Sequence, residues 1–312
     1  MRRSTPAAAP AVAGRRDIAL DTYRYLRGGM VVMTLMLAAA IVAERLRAGC
    51  WLDSISAYYY SAAHNVFIAA VCAIGALLIV YRGGSDTEDT LLNLAGILAF
   101  VVAFVPVPPP GTVCGTPLPA AGWDVEIGIS VWPLIIALVV SRIASWWLYR
   151  STGTSEPHST VGAVAMWGQR LVLAVGLVAF VVFREFFDTY AHRIAAVLLF
   201  VIIVVTVAIT ARLVTRQDQA RSPHQRAYHR AYRVIAVLMG LTILVVIAIH
   251  VLVDGFSHAA LIAESALIVQ FAAYWLIQTV ELWHVRERAE LLCGDERSAD
   301  DPLPGQPNRP EM

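Results

Sequence analysis

SISAYYYSAAHNVFIAAVCAIGALLIVYRGGSDTEDTLLNLAGILAFVVAFVPV, running from Ser54 to Val107, reads as a polar and aromatic mouth, an apolar run, a tight polar turn and a second apolar run. The first run, about Ala63 to Tyr81, has the roughly 20 residues that cross a hydrocarbon core of about 30 Å at about 1.5 Å per residue. Tyr81, Arg82, Gly83 and Gly84 close it, because glycine takes the left-handed closing conformation without a Cβ clash and arginine can reach the headgroups. Ser85 and Glu88 have the spacing of a capping box for the next helix, and the second run, about Thr90 to Val107, returns the chain. A transmembrane helical hairpin is therefore predicted. Ala69, Ala73 and Ala76 face Ala95, Gly96, Ala99 and Ala103 in that hairpin, where small residues let two backbones approach in lipid. Tyr58, Tyr59 and Tyr60 are expected as interfacial anchors, each with an apolar ring and a polar hydroxyl.

The rest of the chain agrees with this reading. Of 312 residues, 58% are hydrophobic and only 15% charged, and the mean hydropathy is +0.64. A soluble domain would carry nearer 25% charge. The net charge of +1 gives no sign of a nucleic-acid partner, since the basic residues, all arginine, stand in blocks at the ends of apolar runs. The N-terminus has arginines but no apolar core of signal-peptide length.

Eight apolar runs reach spanning length: about Leu26 to Ala43, the two above, Ile127 to Tyr149, Gly162 to Phe183, Ile194 to Leu213, Val234 to Val253, and Ala259 to Val280. The fold class predicted is all-α, a polytopic transmembrane helix bundle of eight spans. Arg142 and Arg170 interrupt the fourth and fifth runs, so the alternative is six spans with residues 127–183 as a peripheral hairpin. Gln169 and Arg170 would want buried partners, for which Glu88 or Asp89 are available. Residues 1–25 read as an N-terminal segment with a short surface helix over Asp17 to Arg27, residues 26–283 as the bundle, and residues 284–312 as a largely disordered tail, charged and rich in proline.

Arginine sets the orientation, because positive charge is retained on the cytoplasmic side of short loops. The N-terminal segment through Arg27 has six arginines, and Arg212, Arg216, Arg221, Arg226, Arg230 and Arg233 lie between spans six and seven, whereas the segment from Val107 to Gly128 has none. Both termini are expected in the cytoplasm of a plasma-membrane protein, with the tyrosine mouth outside. Besides the bilayer itself, the basic segment Arg212, Arg216, Arg221, Arg226 and Arg230 offers a grip on anionic lipid headgroups. Cys50 and Cys114 both fall outside, where a disulfide can persist, and they are the candidate pair.

ISAYY at Ile55 to Tyr59, NVF at Asn65 to Phe67, CAIG at Cys72 to Gly75, YRG at Tyr81 to Gly83 and NLAG at Asn93 to Gly96 resemble the signature of an uncharacterised family of bacterial multi-pass membrane proteins. Glu264, Phe271, Trp275 and Leu276 resemble its last helix. The resemblance implies about six spans and a histidine opening a middle helix, which His192 matches. This chain departs by extra sequence between about Gly111 and Asp188, and the resemblance implies a membrane location without an activity.

No Walker loop, GxGxxG, HExxH or GxSxG is present, which removes the best-marked nucleotide enzymes, zinc proteases and serine hydrolases. What remains is a polar set that the topology brings to the outer face: His64, Asp188 with His192, His250 with Asp254, and Glu264. Three readings are open. The set could carry a small solute or lipid for transport or sensing, since ionisable groups within a membrane are functional candidates by default. It could hold a divalent metal and hydrolyse a lipid, as imidazoles and carboxylates together suit zinc. Or it could cap helices and pair with Arg184 or Arg193. No cofactor beyond such a metal is expected.

Overall fold

The computed structural model describes residues 11–118, 126–152, 159–214, 225–252, 258–286 and 288. Eight helices run through them: α1 (Ala11–Ala48), α2 (His64–Val80), α3 (Asp86–Phe104), α4 (Ile127–Thr152), α5 (Thr160–Val182), α6 (Arg184–Val214), α7 (Gln225–Leu252) and α8 (Ala259–Glu281). Seven are long and apolar enough to cross a membrane, which fits a multi-pass membrane protein; α2, at 17 residues, is the shorter one.

Successive helices alternate in direction between two ends, one bearing the Cys50–Cys114 disulfide and one rich in arginine. Six of them close a ring in the order α1, α2, α3, α6, α7, α8 and back to α1. α4 and α5 lie outside it, against α3 and α6. Only 11% and 6% of their apolar windows are buried, against 61% for α3. The α4 and α5 helices are thus peripheral to the ring, yet their apolar spans, Ile127–Leu148 and Thr160–Val182, are 22 and 23 residues long, enough for about 30 Å of hydrocarbon.

The α2–α3 hairpin is the tightest joint. A Cβ on Gly75 would lie 2.9 Å from the Gly96 carbonyl oxygen, and one on Gly96 would lie 2.5 Å from that of Gly75. The close approach was expected, but the register on α2 differs: Ala69 and Ala76 are exposed, and Gly75 carries the contact. Ser85 accepts from the Glu88 amide at 3.2 Å, one half of the capping box. The other half goes elsewhere, since Glu88 accepts from the Gly84 amide at 2.7 Å.

Three further expectations change. No separate surface helix covers Asp17 to Arg27, because α1 runs unbroken through it with Arg27 turned inward and fully buried. The bundle does not stop at residue 283, because Arg288 is 1% exposed. Tyr58, Tyr59 and Tyr60 are not anchors at the surface: they are 0%, 4% and 3% exposed, in a short 3₁₀ helix (Ser56–Tyr60) packed into the disulfide end of the ring.

Candidate functional site

This 3₁₀ helix, the tyrosine turn, plugs the ring, and its bonds explain why. Cys50, just past the end of α1, is bonded to Cys114, with Cα atoms 5.8 Å apart. Cys114 and Gly115 both have positive φ, 52° and 75°, between the two-residue strands β1 (Thr112–Val113) and β2 (Thr116–Pro117); positive φ at both central residues marks the hairpin turn that matches strand twist. The Asp53 carbonyl accepts from the Leu261 amide of α8 at 3.0 Å. The Tyr60 hydroxyl donates to the Val107 carbonyl at 2.5 Å.

Three of the sequence-predicted polar residues converge on this turn. His64 Nδ1 lies 2.5 Å from the Tyr59 carbonyl oxygen, with its ring edge-on to that tyrosine. Glu264 accepts from the Ile55 amide at 2.6 Å. His192, 4% exposed, has Nδ1 at 2.5 Å from the Val105 carbonyl oxygen and Nε2 at 2.8 Å from Ser56 Oγ. A carbonyl can only accept, so Nδ1 carries the proton and Nε2 accepts from the Ser56 hydroxyl. Burial raises the phenol pKa of Tyr58 and Tyr59, and that of Tyr60 to about 12, since each phenolate would be stripped of water.

The other predicted residues lie apart. α6 does begin early enough to hold Asp188 and His192 on one helix, but Asp188 is partly exposed and paired with Arg184 at 3.0 Å. The side chain of His250 and the whole of Asp254 fall outside the described residues, as do Arg216 and Arg221. Among the described residues no three His, Cys, Asp or Glu side chains gather as a metal-binding set. Arg170 stacks on Trp167 at 5.0 Å, while Glu88, offered to it by the sequence, is buried elsewhere.

Beneath the turn the ring lines a partly open cavity of about 90 Å³. Its walls are apolar, among them Leu37, Phe67, Leu78, Ile203 and Phe271, and its polar lining residues are Thr34, Ser56 and Glu264. Ser56 and Glu264 sit together at the turn, so the cavity has a polar cap and an apolar body.

A second polar cluster, which no motif in the sequence marks, lies at the arginine-rich end. Arg288 binds Glu281 through both terminal nitrogens at 2.7 Å. Tyr232 donates to Glu281 at 2.5 Å. Thr210 donates to Glu88 at 2.6 Å and lies 3.1 Å from the Tyr274 hydroxyl. Burial works against the Arg288 charge, but Tyr232, Glu281 and Glu88 outweigh it and hold the guanidinium above its ordinary pKa. The one sequence signal was Thr206 and Thr210, four apart in the apolar stretch Ile194 to Ala211 of α6; both are buried on one face.

The chain matches no protein-family model, no curated protein and no solved structure.

Proposed function

We propose that this chain is an eight-span membrane protein that binds a small, largely apolar molecule in the ring cavity, for transport or sensing. A hydrogen-bonding group of the guest would meet Glu264 and Ser56. The observation that carries this reading is the shape and chemistry of the cavity. A mostly apolar cavity accepts apolar guests, while a carboxylate at one end gives orientation, the usual division of labour in a small-molecule site.

The span count and orientation belong to the same proposal. α2, at 17 residues, covers about 26 Å, which a bilayer meets by slight local thinning. Arginine asymmetry favours cytoplasmic termini and an outward disulfide end. The basic segment between α6 and α7 would meet anionic headgroups, at about 1 kcal/mol for each arginine near the surface.

Thermal unfolding in detergent with octylamine, octanol or octanoate tests the cavity. Octylamine is expected to raise the midpoint of the wild type, to do so less for Glu264→Gln, and not at all for Ala196→Leu, which fills a cavity wall. No shift of the wild type with any of the three probes would end this reading.

A further inference from the structure

Beyond Glu281 the chain turns back under the ring. Leu282 is fully buried, and a short strap leads through Val285 and Arg286 to Arg288. One guanidinium, that of Arg27, donates to three strap carbonyls: Leu282 at 2.8 Å, Val285 at 3.4 Å, and Arg286. Arg24 donates to the Trp283 carbonyl at 2.7 Å. Arg288 then points inward to Glu281 and over the Tyr232 ring, 5.4 Å from its centroid. Gly84 leaves the room for it, since a Cβ there would lie 2.8 Å from Arg288 Cβ and 3.3 Å from Glu88 Oε2.

Stability alone does not account for this arrangement. Ordering an arginine side chain costs rotamer entropy, and desolvating both charges of a buried pair offsets much of their attraction. Withdrawing Arg288 alone would leave Glu281 buried without its partner, so the pair holds the closed state until water reaches this end. It also sits in the right place, because the cavity floor at Leu78, Ile203 and Phe271 is followed toward this end by Tyr81, Thr210, Tyr274 and Trp275, and then by the strap.

We propose that the strap ending in Arg288 is a latch over the arginine-rich end of the ring, with Arg27 and Glu281 as its catch, so that the cavity opens to that end only when Arg288 withdraws. This rests on the cavity reading and adds the route by which the guest is admitted.

The test is thiol accessibility from the arginine-rich side of sealed vesicles. Ile203→Cys places a thiol on the cavity wall of the full chain, with Cys72→Ala and Cys293→Ser removing other thiols and the Cys50–Cys114 bond left intact. The probe is a membrane-impermeant, cationic methanethiosulfonate. Adding Glu281→Gln with Arg288→Gln removes the pair without stranding either charge. It is expected to speed labelling about tenfold, the effect of roughly 1.4 kcal/mol on the closed state. A second arm avoids destabilisation: Arg24→Cys with Trp283→Cys, bridged by a short bismaleimide before the cavity thiol is probed, should slow labelling below the unbridged chain. Equal rates in both arms overturn the latch. Octylamine stabilisation, read on the same proteins, separates the two ideas. Its absence with accelerated labelling removes the ligand reading and keeps the latch; its presence with unchanged labelling removes the latch alone.

Discussion

Replacing His192 by phenylalanine keeps an aromatic ring of similar volume at a site that is 4% exposed and removes both hydrogen bonds that tie α6 to the end of α3 and to the tyrosine turn. Inter-helix hydrogen bonds in membranes average about 0.6 kcal/mol each, so the two lost bonds account for only about 1.2 kcal/mol. The larger cost is the Val105 carbonyl, which faces an apolar ring with no replacement donor; a buried group stranded in this way costs about 1–3 kcal/mol. The Ser56 hydroxyl can rotate, so its share is smaller. A destabilisation of about 2–4 kcal/mol is expected, most of it from Val105. Unfolding in mixed micelles with the disulfide oxidised, followed by tryptophan fluorescence, would measure it. Ser56→Ala should cost less than about 1 kcal/mol, because it removes one bond and strands only the imidazole Nε2, which can take water from the cavity. If His192→Phe lies within about 0.5 kcal/mol of the wild type, the hydrogen bonds do not hold the plug and the argument from stranded acceptors fails.

Gly96→Leu should prevent close packing of the α2–α3 hairpin, because even its Cβ would stand 2.5 Å from the Gly75 carbonyl oxygen; the loss should exceed the 1–3 kcal/mol of ordinary overpacking, read as a lower unfolding midpoint, whereas Ala69→Leu on the exposed face should change it little. Tyr60 should ionise only near pH 12 in the folded protein, against about 10 in an unfolded chain. The folded pKa is the higher one, so this group's contribution is complete below pH 10 and fades as pH rises toward 12; a tyrosinate absorbance titration of wild type minus Tyr60→Phe shows it, and a difference centred at pH 10 would contradict the burial of that hydroxyl.

The helices were legible because spanning length and apolarity are local properties of the chain, which is why every run from Leu26 to Val280 falls on a helix. The roles of polar residues were legible only where a neighbour in sequence was the partner. Ser85 capping Glu88 is such a case, three residues apart. His192, by contrast, is fixed by groups 87 and 136 residues away, and nothing in the periodicity of α6 marks Val105 or Ser56. Tyrosines 58 to 60 show the limit from the other side. Their composition suits an interface, and what turns them inward is a disulfide of separation 64 and a backbone bond from Asp53 to α8.

The polar groups at the two ends of the ring follow one physical rule. Helices meeting in lipid gain little from apolar contact with one another, since tails serve as well, so the closure of a ring must be specified by groups that cannot be left in hydrocarbon. At the disulfide end those groups are amides and carbonyls of the short 3₁₀ turn, satisfied by Glu264 and His64; at the arginine-rich end they are the carbonyls of the strap, satisfied by Arg27. Each closure thus depends on an ionisable side chain reaching irregular backbone, a partner that sequence spacing does not reveal. The two ends differ in what holds them. A covalent bond fixes the tyrosine turn, whereas the strap is held by hydrogen bonds and one ion pair, so of the two closures the strap is the one that can open without chemistry.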